Sequence, residues 1–209
     1  MANLSDLHRR LNFPYGVNPS WGGLPQIILM SDDKRLPDPT AAAETMPSGS
    51  AVILRHRDPH VRRQLAETLK RICRARSLCL IVAGDARLAL AVGADGIHIA
   101  ERDLARSGVQ RRWAQQRGLI VTAAVHGATA LRHVNKLGLT AALLSPVFAT
   151  DSHVGARGLG VLAFTRLAAA SDIPVYALGG VNRLNVCRLR HSGAAGIAGI
   201  SGIADIIEP

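Results

Sequence analysis

Eight short apolar runs punctuate this chain, and helical spacing separates most neighbours. The runs are QIILMS (26–31), SAVILRHR (50–57), LCLIVAG (78–84), GIHIAE (96–101), LIVTAAVH (119–126), AALLSPVF (141–148), IPVYALGG (173–180) and AGIAGIS (195–201). Each is too short for a buried helix and rich in β-branched residues, so each reads as a strand. Between them stand helical patterns such as DARLALAVGA (85–94), ATALRHVNKLG (128–138) and NVCRLRHSGA (185–194). The segment after the second run opens with Asp58-Pro59, an N-cap followed by a first-turn proline, and carries Val61, Leu65, Leu69 and Ile72 on one face. Strands alternating with helices imply a parallel sheet, and eight repeats of roughly 20–25 residues point to an α/β fold of the (β/α)8, or TIM-barrel, type. A doubly wound open sheet is the alternative, but the first run is not followed by a GxGxxG turn.

Residues 1–24 stand apart as an N-terminal extension, with a Gly-, Pro- and Asn-rich stretch from Asn12 onward, so the barrel domain is expected over 25–209. The chain ends about eight residues after Ser201, which predicts a short or missing last helix. Apolar residues make up 48% of the chain but aromatic ones only 3%, a composition that suits parallel strands under helices and offers no stacking platform for single-stranded nucleic acid. The net charge of +10 comes almost entirely from arginine, since Lys34, Lys70 and Lys136 are the only lysines among 25 basic residues. Pairs such as Arg62-Arg63 and Arg111-Arg112 fall on predicted helices and read as solvated faces, so anionic metabolites rather than nucleic acid are the expected partners. Cys73, Cys79 and Cys187 form no CxxC pair and suggest neither a disulfide framework nor a zinc site. No apolar run is long enough to span a bilayer and no signal-peptide core is present, which predicts a cytoplasmic protein without membrane contact.

In a barrel of this kind the chemistry gathers at the C-terminal ends of the strands. Gly179-Gly180 after the seventh run, and Ile200 and Ser201 at the end of the eighth, place backbone amides where a phosphate would bind, with a helix start expected behind each. Arg55 and Arg57 alternate with His56 and are expected on one side of the second strand, a pairing suited to phosphate or pyrophosphate. Asp85, Glu101 and Asp103 are candidates to bind Mg2+ together with a substrate pyrophosphate; helix capping is the competing reading for Asp85 and Asp103. His126 ends the fifth run and is a candidate for acid–base work, whereas His98, inside an apolar run, reads as a hydrogen-bonded core histidine.

The motifs GADGIHIAERDL, VHG, LSPVFATDSH, GLG, IPVYALGGVN and SGAAGIAGISGI, in this order over about residues 25–205, resemble the thiamine-phosphate synthase and TenI family. The resemblance implies a (β/α)8 barrel. It also implies joining of hydroxymethylpyrimidine diphosphate to thiazole phosphate with release of pyrophosphate, Mg2+ assisting. Thr150, Ser152 and His153 would then face the leaving pyrophosphate, and the thiazole phosphate would sit at Gly179, Gly180, Ile200 and Ser201. Several positions depart from the synthase pattern. Ile53, Arg55 and Arg57 stand for Q-x-R-x-K, Ala83-Gly84 for the Asn-Asp pair, Ala124 for a serine, and His153 for a lysine. Asp103 and Pro146 keep the synthase pattern, while Gly84 is TenI-like. A TenI-like thiazole-phosphate protein and a non-catalytic phosphate-binding barrel are therefore the alternative readings, and a homo-oligomer through the exposed barrel end stays open.

Overall fold

A computed structural model describes residues 23–150 and 158–203. The eight expected strands are β1 (Ile27–Met30), β2 (Ala51–Leu54), β3 (Cys79–Ala83), β4 (Gly96–Ile99), β5 (Ile120–Val125), β6 (Ala141–Leu144), β7 (Val175–Leu178) and β8 (Gly196–Gly199). They pair in sequence order, all parallel, and β1 closes on β8 with Ile27 opposite Ile197. Closure leaves no edge strand and disposes of the doubly wound alternative.

The period of two divides every strand between two apolar layers. Ile28 and Met30, Ala51 and Ile53, Ile81, Ala141 and Leu143, Tyr176 and Ala198 fill the barrel interior. The residues between them, such as Leu29, Val52, Leu54, Leu80, Val82, Val121 and Leu144, face the helices instead. Register partners in a parallel ladder share a face, so His98, beside Ala83 on one side and Thr122 on the other, points into the interior. The Tyr176 hydroxyl, also inside, donates to the Pro25 carbonyl at 2.6 Å.

The helices are α1 (Thr40–Thr45), α2 (Pro59–Arg76), α3 (Ala86–Ala91), α4 (Gly108–Gln116), α5 (Ala128–Lys136) and α6 (Gly160–Ala169). Asp58 caps α2 as expected, accepting from the amides of His60 at 2.8 Å and Val61 at 3.1 Å. The buried stripe of α2 runs through Ala66, Leu69 and Cys73, and Leu65 and Ile72 flank it; Val61 is exposed. Two expectations need correction. The segment after β7 forms only a 3-10 turn at Val186–Leu189, not an α-helix. Arg62 and Arg111 are not on solvated faces: Arg62 ties the His56 carbonyl (3.2 Å) to the Asp85 carboxylate (3.0 Å), and Arg111 reaches Gln115 and the Leu137 carbonyl. Residues 201–203 open a helical turn after β8; the expected shortness of the last helix and most of the N-terminal extension concern positions outside the described residues. No helix among the described residues is long and apolar enough to cross a membrane. The three cysteines are free thiols.

Candidate active site

The rim of the barrel at the ends of β1 and β2 is built around Arg55. β2 ends at Leu54, so Arg55 to Arg57 occupy a loop and not the strand assigned to them by alternation. The fully buried Ser31 replaces the missing ladder: its hydroxyl accepts from the Arg55 amide at 2.7 Å and donates to the Arg55 carbonyl at 2.9 Å. The chain then doubles back after β1 through paired backbone bonds between Asp32 and Leu36. That turn presents the Asp32 carboxylate, to which the Arg55 guanidinium donates. Burial alone would raise the Asp32 pKa, but the Arg35 side chain and the amides of Lys34 and Arg35 donate to its carboxylate and hold it at about 2. The carboxylate is thus ionised at neutral pH, and it fixes Arg55 at the rim with about half of its side chain still open to solvent. Asp33 does the same more loosely for the exposed Arg57, accepting from its amide at 2.9 Å and forming an ion pair with Nε at 3.4 Å.

Next around the rim, Asp85 caps α3 by accepting from the Leu88 amide at 2.9 Å, and its other oxygen takes the Arg62 bond. Asp103 closes a 3-10 turn (Glu101–Asp103) and pairs with Arg106 at 3.2 Å and Arg102 at 3.7 Å. Glu101 is committed elsewhere: one carboxylate oxygen accepts from both the amide and the ring Nδ1 of His126, each at 2.7 Å. The three acids expected to converge on Mg2+ are therefore engaged separately, and no group of three or more His, Cys, Asp or Glu among the described residues is placed to hold a metal. A protein-only cage does not fit these residues. A Mg2+ carried in by a diphosphate needs only one or two carboxylates from the protein, and Asp103, half-exposed and paired with the exposed Arg102 and Arg106, is the candidate for it.

Opposite Arg55 the loops after β6, β7 and β8 lock together. The amides of Val147 and Phe148 donate to the carbonyls of Leu178 and Gly179 at 2.9 and 3.0 Å, extending the β6–β7 pairing past the cis Ser145-Pro146 bond. The Arg188 guanidinium stacks over the Phe148 ring at 5.3 Å from its centre. Gly179 and Gly180 both have positive φ, and a Cβ on Gly180 would lie 2.4 Å from the Ala149 carbonyl oxygen. The two glycines are demanded by this packing, whether or not a phosphate also uses their amides. Asn185 secures the turn by donating to the Gly180 carbonyl at 2.7 Å. A Cβ on Gly202 would meet the Val181 carbonyl at 2.3 Å, so the turn that follows Ile200 and Ser201 presses on the β7 loop. Because no α-helix follows β7, a helix dipole is not available there; backbone amides are the remaining donors. Thr150 is half-buried beside this loop, and Ser152 and His153 lie outside the described residues.

Ser31, Asp32 and Arg62 are the positioning residues that sequence reasoning missed as such. Their partners stand more than 20 positions away and meet them only through the barrel register. A groove of about 460 Å3 between α2 and α3 is lined by Pro59, His60, Arg63, Asp85, Arg87 and Leu88, and meets the rim at Asp85 and its cap partner Leu88.

A closed parallel barrel with an arginine fixed at one side of its mouth and paired glycine turns at the other belongs to the class of (β/α)8 barrels, whose sites lie at the C-terminal ends of the strands. The family model of thiamine monophosphate synthase matches residues 27–203. The thiamine-phosphate synthase of Herpetosiphon aurantiacus is 33% identical over 77% of this chain and 78% of its own, and that of Laribacter hongkongensis is 31% identical over 74% of each. Against the enzyme of Prochlorococcus marinus identity is 25% over 61% of this chain, which spans only 36% of that relative's length. The thiamine phosphate pyrophosphorylase structure from Pyrococcus furiosus superposes with a TM-score of 0.75, covering 90% of this chain and 94% of that one at 24% identity, and so shares the fold. The chain belongs to the thiamine monophosphate synthase family.

Proposed function

We propose that this protein joins hydroxymethylpyrimidine diphosphate to thiazole phosphate, releasing pyrophosphate and forming thiamine monophosphate. The bond from the pyrimidine methylene carbon to the diphosphate oxygen breaks, and that oxygen keeps the electron pair. The lone pair of the thiazole ring nitrogen forms the new C–N bond. The observation that carries the reading is the fixing of Arg55 by Ser31 and Asp32 at the same end of the barrel as the Gly179-Gly180 turn. A guanidinium held in place stabilises negative charge growing on a departing diphosphate without having to reorganise. Arg57, at the outer margin, adds charge. Mg2+, when bound with the diphosphate at Asp103, would supply further neutralisation of the leaving group. The amides of Gly179, Gly180, Ile200 and Ser201 are the proposed seat of the thiazole phosphate, and Thr150, Ser152 and His153 the proposed edge of the pyrophosphate site. His126, whose ring Nδ1 donates to Glu101, is the proposed acid–base group near the mouth.

One observation favours a second reading, a TenI-like protein that keeps only the thiazole-phosphate half. Both oxygens of Asp85 are already used, and Gly84 precedes it where the synthase pattern has an acid. Expression in a thiamine-phosphate-synthase-deficient strain separates the two. The wild-type chain is expected to restore growth without thiamine, while Arg55→Ala and Asp103→Ala are expected not to. A folded wild-type protein that never restores growth, yet binds thiazole phosphate, would transfer the case to the second reading.

A further inference from the structure

The groove between α2 and α3 is a cationic cleft that the chemistry above leaves unused. Its volume of about 460 Å3 is that of a small-molecule site, for which about 300–1,000 Å3 is usual. One wall carries Pro59, His60 and Arg63 from the start of α2; the other carries Arg87, Leu88 and Ala91 of α3, with Asp85 at its cap. The charges in the cleft are not balanced from within. The Asp85 carboxylate is engaged on both oxygens, by the Leu88 amide at 2.9 Å and by Arg62 at 3.0 Å. Asp58, the acid next to this wall along the chain, accepts from the amides of His60 and Val61. Arg63 and Arg87 are exposed, and neither makes a hydrogen bond or an ion pair among the described residues. Each wall thus contributes one guanidinium group without a counter-charge, and Pro59, Leu88 and Ala91 supply apolar surface beside them.

We propose that this groove is a second anion site, separate from the mouth, which binds a phosphate ester of a small organic molecule. Arg63 and Arg87 hold the phosphoryl group from opposite walls, and the apolar part of the ligand lies on Pro59, Leu88 and Ala91. The inference goes beyond the synthase reading and does not depend on it. A guanidinium fork matches the spacing of phosphate oxygens and donates to two of them at once. Charge alone would serve for inorganic phosphate; the apolar surface gives an ester its advantage by taking its organic part out of water. A phosphate held from both walls also braces α2 against α3, the two elements that the Arg62–Asp85 pair already joins. α2 begins directly after the loop that carries Arg55 and Arg57, so occupancy stiffens the segment behind the rim and stabilises the folded chain by mass action.

The test titrates the protein with phenyl phosphate and with inorganic phosphate at constant ionic strength and follows the histidine ring signals by NMR. His60 reports on the groove, while His56 and His126 report on the rim. The His60 signal is expected to shift saturably with phenyl phosphate, which should bind at least about fivefold more tightly than inorganic phosphate. Arg63→Gln and Arg87→Gln remove no partner and leave the core untouched; each is expected to weaken the His60 titration by at least about fivefold. The response of His56 and His126 to pyrophosphate should hold in both variants. A His60 signal that does not saturate, variants that keep the wild-type affinity, or inorganic phosphate that binds as tightly as phenyl phosphate would each overturn the proposal. None of these outcomes bears on the condensation, which product formation tests separately.

Discussion

Lowering the pH from about 6.5 to about 4 is expected to remove about 3 kcal/mol of folding stability through His98 alone. The ordinary histidine pKa is 6.5, and desolvation in the barrel interior, with the Arg55 charge adding to it, lowers that of His98 to about 4. Above 6.5 the ring is neutral in both folded and unfolded chains and contributes no slope. Between 6.5 and 4 the unfolded chain binds a proton that the folded chain refuses, so stability falls as pH falls; below 4 both states are protonated and this contribution levels off. Asp32 acts in a separate window. Its folded pKa of about 2 lies below the ordinary value of 3.8, so its contribution is present above 3.8 and is lost as pH falls toward 2. Urea midpoints measured at intervals from pH 7 to pH 4.5 would show the His98 slope in the wild-type protein and a much flatter profile in His98→Phe. Equal slopes in both would mean that the histidine is solvated in the folded state.

Replacing Gly180 with alanine is expected to cost about 2–5 kcal/mol and to loosen thiazole-phosphate binding, two effects with one cause. At φ +68° an alanine pays the left-handed penalty of about 1–2 kcal/mol. Its Cβ would also lie 2.4 Å from the Ala149 carbonyl oxygen and 2.8 Å from Phe148 Cβ, so the loop after β6 must move, at a further cost of about 1–3 kcal/mol. Gly118 isolates the first term, because it has the same φ of +68° and nothing within 4 Å of a built Cβ. Gly118→Ala should therefore cost only the conformational part and leave ligand binding untouched. Chemical denaturation of both variants measures the difference, and equal losses would show that the β6 and β7 loops are not locked as described.

The barrel was legible because its signal is local. Eight apolar runs with β-branched content need only a period of two to sort Ile28, Ile53, Ile81 and Leu143 to one side and Leu29, Val52, Leu80 and Leu144 to the other. The segment after β7 misled for an equally local reason. Asn182 and Asn185 offer the backbone side-chain bonds, from Asn185 to the Gly180 carbonyl and from the Leu184 amide to Asn182, that compete with helix formation. Arg55 was legible as a candidate, but its environment was not, because Ser31 and Asp32 reach it across 24 and 23 positions of chain. The same holds for Glu101 and His126, which the sequence separates by 25 residues and adjacent strand ends bring together. The paired glycines drew attention as a phosphate turn; the contacts of Pro146, Phe148 and Ala149 supply a packing reason that no single sequence discloses.

The central claim is that this mouth performs the condensation, and product formation tests it most directly. Purified protein with hydroxymethylpyrimidine diphosphate, thiazole phosphate and Mg2+ should yield thiamine monophosphate and pyrophosphate in equal amounts. Arg55→Ala should lower kcat/KM by about 100-fold, as expected for loss of a fixed charge-stabilising group. Folded wild-type protein that forms no thiamine monophosphate across a range of Mg2+ concentrations would contradict the account.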